Sequence, residues 1–421
     1  MSVALLIVRC SNDIAASALH TGRPIKGVKK RTAQLRKVSD TIARLAALRG
    51  LQNTTSFTSA DRLSTLGNFG PNPGALLARY YTPADLPDEA PLVVVLHGCT
   101  QNAASYDHHS GWSQLADEAG FALLYPEQQR ANNPNLCFNW FLPADTARDR
   151  GEVFSIRQMI ETMVVAHGLD RKQIFVTGLS AGGAMAAAML ATYPELFAGG
   201  GIIAGLPFGC ATTVPEAFDR MRGHGGPSEQ ELQRLVRKAS KHNGQWPKIS
   251  IWQGSGDHTV ASTNAESIVA QWRGVHKLDT APTHSTIERG RSRRVWADEA
   301  GEAKIEINMI AGMGHGTPIG NGRGTAGPYM LEVGISSTQE IARFWGLGDA
   351  DDARGSESVR SAPPRTAAVE TRPSISHIRT ASVSSAKAIP AELARTDGDF
   401  SPRESVKKVI EDALRTAGLM R

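Results

Sequence analysis

Between about residue 76 and residue 347, short apolar runs rich in β-branched residues alternate with stretches of helical periodicity. The runs are Leu92–Leu96, Ala122–Tyr125, Ile174–Thr177, Ile202–Ala204, Ile249–Trp252 and Ile305–Ile310. Between most of them lie helical patterns, at Trp112–Ala119, Val153–His167, Ala181–Thr192, Ala265–Val275 and Thr338–Trp345. A strand that is apolar at every position must be covered on both faces, and helices between successive strands supply the cover. The pattern predicts an α/β fold with a mostly parallel, doubly wound sheet, and a leading antiparallel strand at Ala75–Thr82. Hydrophobic residues make up 41% of the chain, enough for a sizeable core. No apolar run reaches the ~18 residues of a membrane-spanning helix.

The flanks differ in composition. In 21–51, Arg23, Lys26, Lys29, Lys30, Arg31, Arg36, Lys37, Arg44 and Arg49 face a single acid, Asp40. Leu35, Val38, Ile42, Leu45 and Leu48 fall at helical spacing, so this stretch reads as a basic amphipathic helix. Such a helix either packs on the domain with its basic face solvated, or attaches to an anionic or apolar surface. The apolar stretch Val3–Val8 is short and has no basic region before it, which favours a cytoplasmic protein over an exported one. Residues 350–400 are rich in Ser, Ala, Arg, Thr and Pro and read as a disordered linker. Ser401-Pro402-Arg403-Glu404 then forms a capping box ahead of Val406, Ile410 and Leu414, a short amphipathic helix. The expected organisation is an extension over 1–75, a catalytic domain over 76–347, a linker over 348–400 and a helix over 401–421.

Gly178-Leu179-Ser180-Ala181-Gly182 lies between the run Ile174–Thr177 and the Ala-rich helix after it. A serine on so tight a strand-to-helix turn needs small neighbours, and its hydroxyl then stands above the sheet at a helix N-terminus. The competing reading is a glycine-rich turn with an ordinary helix cap. A nucleophilic serine needs a base, and the base needs an orienting acid, in the order Ser, acid, His on this kind of sheet. Asp257 follows the run Ile249–Trp252 on a Gly-rich turn and is the expected acid, ahead of Glu266 and Asp279. His315 follows Ile305–Ile310 in the loop Ala311-Gly312-Met313-Gly314-His315-Gly316 and is the expected base, ahead of His258. The oxyanion donors are expected to be the backbone N–H of Ala181 and that of Cys99, with Thr100 beside it, in the loop after Leu92–Leu96. No metal is expected: His108 and His109 diverge on a helix, and neither HExxH nor CxxC spacing occurs. No phosphate-binding glycine loop follows a strand, so no cofactor is expected. The basic stretch lacks interleaved aromatics, which speaks against specific nucleic-acid binding.

The combination LHGCTQ (Leu96–Gln101), NLCFNWF (Asn135–Phe141), GLSAGG (Gly178–Gly183), GSGDHTV (Gly254–Val260) and GMGHGTP (Gly312–Pro318) resembles the polyhydroxybutyrate-depolymerase-type esterases. The resemblance spans about residues 76–347. It implies an α/β-hydrolase fold, a triad of Ser180, Asp257 and His315, an oxyanion loop at Cys99, and a cleft-lining segment that includes Trp140. The implied activity is hydrolysis of carboxylic esters, either 3-hydroxyalkanoate oligomers or polymer, or feruloyl and acetyl esters of polysaccharide. From another class comes a surface- or partner-binding protein that works through its terminal helices. Read without the resemblance, Cys137–Phe141 is either an acyl-pocket wall containing Asn139 and Trp140 or a small hydrophobic cluster under a loop. Which of Cys99, Cys137 and Cys210 pair stays open.

Overall fold

A computed structural model describes residues 61–348. The expected basic helix within 21–51, the linker 350–400 and the helix after Ser401 lie outside the described residues. The strands are β1 (Ser64–Thr65), β2 (Leu77–Tyr81), β3 (Leu92–Leu96), β4 (Ala122–Glu127), β5 (Ile174–Leu179), β6 (Gly199–Ile203), β7 (Lys248–Gly254), β8 (His284–Glu288), β9 (Arg291–Ala297), β10 (Ala303–Ile310), β11 (Thr317–Ile319) and β12 (Met330–Glu332). The helices are α1 (Ala103–Ser110), α2 (Trp112–Ala119), α3 (Pro143–Thr146), α4 (Gly151–His167), α5 (Ala181–Thr192), α6 (Val214–Met221), α7 (Glu229–Ala239), α8 (Thr263–His276) and α9 (Ser337–Trp345).

Ten strands form one sheet in the order β1-β2-β4-β3-β5-β6-β7-β10-β9-β8. The central pairings, from β4 through β3, β5, β6 and β7 to β10, are all parallel. Both edges are antiparallel, β1 and β2 on one side and the β8–β9 hairpin on the other. Strand β3 shows why the centre is parallel. All five of its residues are buried, with Leu92, Val94 and Leu96 in one hydrophobic cluster and Val93 and Val95 in the other. A strand so covered needs helices on both faces. Chain order reverses beside β3, whose neighbours are β4 and β5. The crevice beyond the carboxyl ends of strands at such a reversal is the usual place for a ligand.

Three details depart from the expected pattern. The folded body starts before residue 76, because Ser64–Thr65 pairs with Tyr80 and Arg79 at the sheet edge. Strand β6 begins at Gly199, earlier than its apolar residues suggest. A Cβ on Gly200 would lie 2.3 Å from the Leu190 side chain, so the glycines let α5 sit close on the sheet. The hairpin β8–β9 is hidden in a basic stretch. Its two-residue turn, Arg289-Gly290, has φ of 48° and 76°, the all-positive pattern of the tight hairpin turns usually made by Asn-Gly. Arg291, Arg293 and Arg294 of β9 pair with Glu340, Glu306 and Glu266 from other elements, which lets so basic a strand fold.

Candidate active site

Ser180 sits between β5 and α5 with φ 57° and ψ −116°, a conformation that L-residues rarely adopt. Its backbone N–H donates to the Ile203 carbonyl at 2.8 Å, which holds the turn. The flanking glycines are required by contact. A Cβ on Gly178 would lie 2.5 Å from the Gly182 backbone, and one on Gly182 would lie 2.3 Å from the Leu96 carbonyl oxygen. The Ser180 side chain makes no capping bond to α5. Its hydroxyl lies 2.9 Å from Nε2 of His315.

His315 and Asp257 come from the loops after β10 and β7, and these loops are laced together. Ser255 N–H donates to the Ile310 carbonyl, Gly256 N–H to the Met313 carbonyl and Gly312 N–H to the Ser255 hydroxyl, each at 2.9 Å. A Cβ on Gly254 would lie 2.2 Å from the Met313 carbonyl oxygen, so only glycine allows this approach. The result places Nδ1 of His315 at 2.7 Å from Oδ2 of Asp257. The Asp257 side chain is fully buried, and that of His315 is 10% exposed. Oδ1 of Asp257 accepts from the N–H groups of Thr259 (2.8 Å) and Val260 (2.9 Å), and Oδ2 also accepts from Nε2 of Gln253 (3.0 Å). A carboxylate surrounded by donors accepts from His315, so Nδ1 carries the proton and Nε2 is free to accept from Ser180. The other acids and the other histidine are elsewhere: Glu266 pairs with Arg294, and Asp279 and His258 are exposed.

The N–H groups of Ala181 and Cys99 make no hydrogen bond among the described residues, whereas Thr100 N–H is taken by the Asn135 carbonyl at 2.8 Å. Gly98 N–H is taken by Oε1 of Gln101 at 2.8 Å. His97, buried before this loop, donates from Nδ1 to the Gly98 carbonyl (2.7 Å) and accepts from Gln128 N–H at Nε2 (3.1 Å). Burial pushes the His97 imidazole down to about 4, against the pull of the Gly98 carbonyl, so the ring is neutral.

Cys99 forms a disulfide with Cys137, and Cys210 is a free, buried thiol. The bridge ties the loop after β3 to the segment 135–141. Within that segment Asn139 is buried and faces inward. Its Nδ2 donates to Glu152 at 2.8 Å and its Oδ1 accepts from Asn133 at 2.9 Å, so its side chain is engaged inside the protein. Trp140 is 8% exposed with its ring edge against Phe141. Neither has a hydrogen bond or ring contact to Ser180, His315 or Asp257. Glu152, at the start of α4, collects Asn139 N–H and Nδ2, Gln128 Nε2 and Asn132 Nδ2. Burial pushes its carboxyl up, to about 8, against these donors. Sequence reasoning missed Gln253, His97 and Glu152. The one signal for Glu152 is an acid in a helix whose first turn is otherwise apolar. Among the described residues no group of three His, Cys, Asp or Glu could hold a metal ion.

The profile of the family described as esterase PHB depolymerase matches residues 76–293. The poly(3-hydroxyalkanoate) depolymerase C of Paucimonas lemoignei is 44% identical over 298 residues, 69% of this chain and 72% of that one. An acetylxylan esterase of Coprinopsis cinerea is 31% identical, over 62% of this chain and 70% of that one. The feruloyl esterase B of Talaromyces stipitatus is 29% identical, over 62% of this chain and 73% of that one. The solved acetyl xylan esterase of Aspergillus awamori superposes with a TM-score of 0.59 at 24% identity, covering 68% of this chain and 99% of that one, and so shares the fold.

Proposed function

The chain belongs to the esterase PHB depolymerase family, and from that premise we propose that it cleaves 3-hydroxyalkanoate esters through Ser180, His315 and Asp257. It is an α/β-hydrolase and a carboxylic ester hydrolase. The observation that carries the mechanism is the unbroken line from Ser180 Oγ through both nitrogens of His315 to Asp257, with bonds of 2.9 and 2.7 Å. Ser180 attacks the ester carbonyl as His315 takes its proton at Nε2. The tetrahedral oxyanion receives the N–H groups of Ala181 and Cys99. His315 returns the proton to the departing alcohol, leaving an acyl-serine. Water, losing a proton to the same nitrogen, then releases the acid and restores the serine. Asp257 holds the tautomer and balances the charge that His315 carries midway.

The substrate assignment rests on the 44% identity to a poly(3-hydroxyalkanoate) depolymerase, against 29% and 31% for the carbohydrate esterases. Those two relatives support a second reading, hydrolysis of feruloyl or acetyl esters on polysaccharide. Product analysis with hydroxybutyrate oligomers beside methyl ferulate and acetylated xylan tests the choice. Rapid release of hydroxybutyrate monomer and dimer is expected, and turnover confined to ferulate or acetate would overturn it. The Cys99–Cys137 bridge supports an oxidising compartment, against the cytoplasmic placement expected from the N-terminus. Attachment of 21–51 or 401–421 to a granule or anionic surface is a further part of this proposal. Salt-sensitive co-sedimentation of the full chain with polymer granules supports it, and its absence at low salt contradicts it.

A further inference from the structure

Tyr329 lies outside every motif singled out above, yet its ring stands edge-on to His315, with centroids 6.1 Å apart and planes at 79°. It occupies an unusual backbone position. Gly327, Pro328, Tyr329 and Met330 form a turn closed by Met330 N–H on the Gly327 carbonyl (3.0 Å) and Gly327 N–H on the Met330 carbonyl (3.2 Å). Proline second and a positive φ third are the type II pattern, and Tyr329 has φ 62° where such turns favour glycine or asparagine. A bulky side chain kept where glycine is favoured marks strain that the surroundings hold in place, and such strain clusters at functional sites.

The surroundings tie this turn to the segment after His315, to the end of α1 and to the loop after β3. The Tyr329 carbonyl accepts from Thr317 N–H at 2.8 Å, two residues after His315. A Cβ on Gly316 would lie 2.6 Å from that carbonyl oxygen, so the glycine beside His315 is what admits the turn. Thr325 N–H donates to the His109 carbonyl at 2.9 Å, which pins the preceding loop to the end of α1. Pro328 carries its carbonyl 3.5 Å from Nε2 of Gln101, whose other end holds Gly98 in the oxyanion loop. Tyr329 is half-buried, and its hydroxyl has no hydrogen-bond partner among the described residues.

The geometry points to Tyr329 as a specificity-determining residue for the alcohol portion of the ester. This rests on the reading of His315 as the base. The leaving alcohol receives its proton from His315 Nε2, and Tyr329 is the aromatic residue in ring contact with that imidazole. The alcohol portion of a 3-hydroxyalkanoate oligomer carries a further ester carbonyl, or in the dimer a terminal carboxylate, and either is an acceptor for the unpaired phenol hydroxyl. A simple alkyl alcohol carries none. The hydroxyl therefore favours hydroxyacyl leaving groups over alkyl ones.

The test compares two esters that share one acyl group, the linear dimer of 3-hydroxybutyrate and ethyl 3-hydroxybutyrate. Tyr329→Phe keeps the ring and removes the donor. Tyr329→Asn keeps a residue that tolerates positive φ and removes the ring. Each is expected to lower the ratio of kcat/KM for the dimer to that for the ethyl ester by about five- to tenfold, the scale of one hydrogen bond. An unchanged ratio, or both esters slowed by one factor, would overturn the assignment. Ser180→Ala run in parallel separates the two readings. If it keeps turnover on both esters, the triad reading has failed, whatever Tyr329 does.

Discussion

Replacing Asp257 by Asn isolates what the acid does, because the two carboxylate oxygens have different partners. Oδ1 takes two backbone N–H groups, from Thr259 and Val260, and Oδ2 takes Gln253 Nε2 and His315 Nδ1. An Asn side chain has one oxygen to offer. Placing its NH2 against the two backbone donors would leave both unsatisfied, at about 1–3 kcal/mol each. Gln253 Nε2 keeps its bond to the Val260 carbonyl (3.0 Å) when it loses Oδ2, so the oxygen stays with Thr259 and Val260, and the NH2 group faces His315. The imidazole must then accept at Nδ1 and carry its proton on Nε2, where it can no longer receive the one from Ser180. The expected loss in kcat is about 10⁴-fold, equivalent to ~5 kcal/mol of barrier. KM should change little, since no atom of the ester-binding surface is altered. The assay is steady-state turnover of a p-nitrophenyl ester at neutral pH, with thermal melting as a check on folding. A folded variant that retained more than a tenth of wild-type kcat would refute the tautomer reasoning.

Gly182→Ala should destabilise the protein by at least ~2 kcal/mol, because its Cβ would meet the carbonyl oxygens of Leu96 and His97 at 2.3 and 2.5 Å. A wild-type melting temperature would contradict this. Glu152 has its carboxyl raised by burial from 4.5 to about 8, so its stabilisation is full below about pH 4.5 and is lost as pH rises through 8. The stability advantage of wild type over Glu152→Gln should therefore shrink by on the order of a few kcal/mol from pH 5 to pH 9, read by denaturant titration, and a flat or rising difference would be inconsistent. Cys137→Ser removes the bridge that anchors Cys99, and should lower kcat at least as strongly as it raises KM, since the role proposed for the Cys99 N–H lies in the transition state. A change in KM alone would place the bridge outside the oxyanion loop's work.

The candidate site was legible because backbone geometry writes itself into glycines. A Cβ on Gly178, Gly182 or Gly254 would collide with another backbone segment, and Gly312 takes a φ of 69°. Each lies two or three residues from Ser180, Asp257 or His315, beside the end of a strand whose apolar run is plain in the sequence. The central sheet was legible for the same reason that β3 is buried on both faces. What was hidden depends on partners remote in the chain. Strand β9 looks like a solvated basic stretch until Glu266, Glu306 and Glu340 are brought to it. Asn139 looks like a polar group for a ligand until Glu152, at the start of α4, is folded beneath it. Tyr329 reaches His315 only through the pairing of Thr317 with Met330, which nothing in either short strand announces.

The central claim is that Ser180 is the nucleophile, and covalent labelling tests it most directly. The full-length protein is treated with a p-nitrophenyl alkylphosphonate, and p-nitrophenol release, residual esterase activity and the labelled peptide are followed together. One equivalent of p-nitrophenol should be released as activity falls to zero, with the phosphonyl group on Ser180 and no label on Ser180→Ala. Esterase activity that survives stoichiometric labelling of Ser180, or inactivation with the label on another residue, would contradict the account.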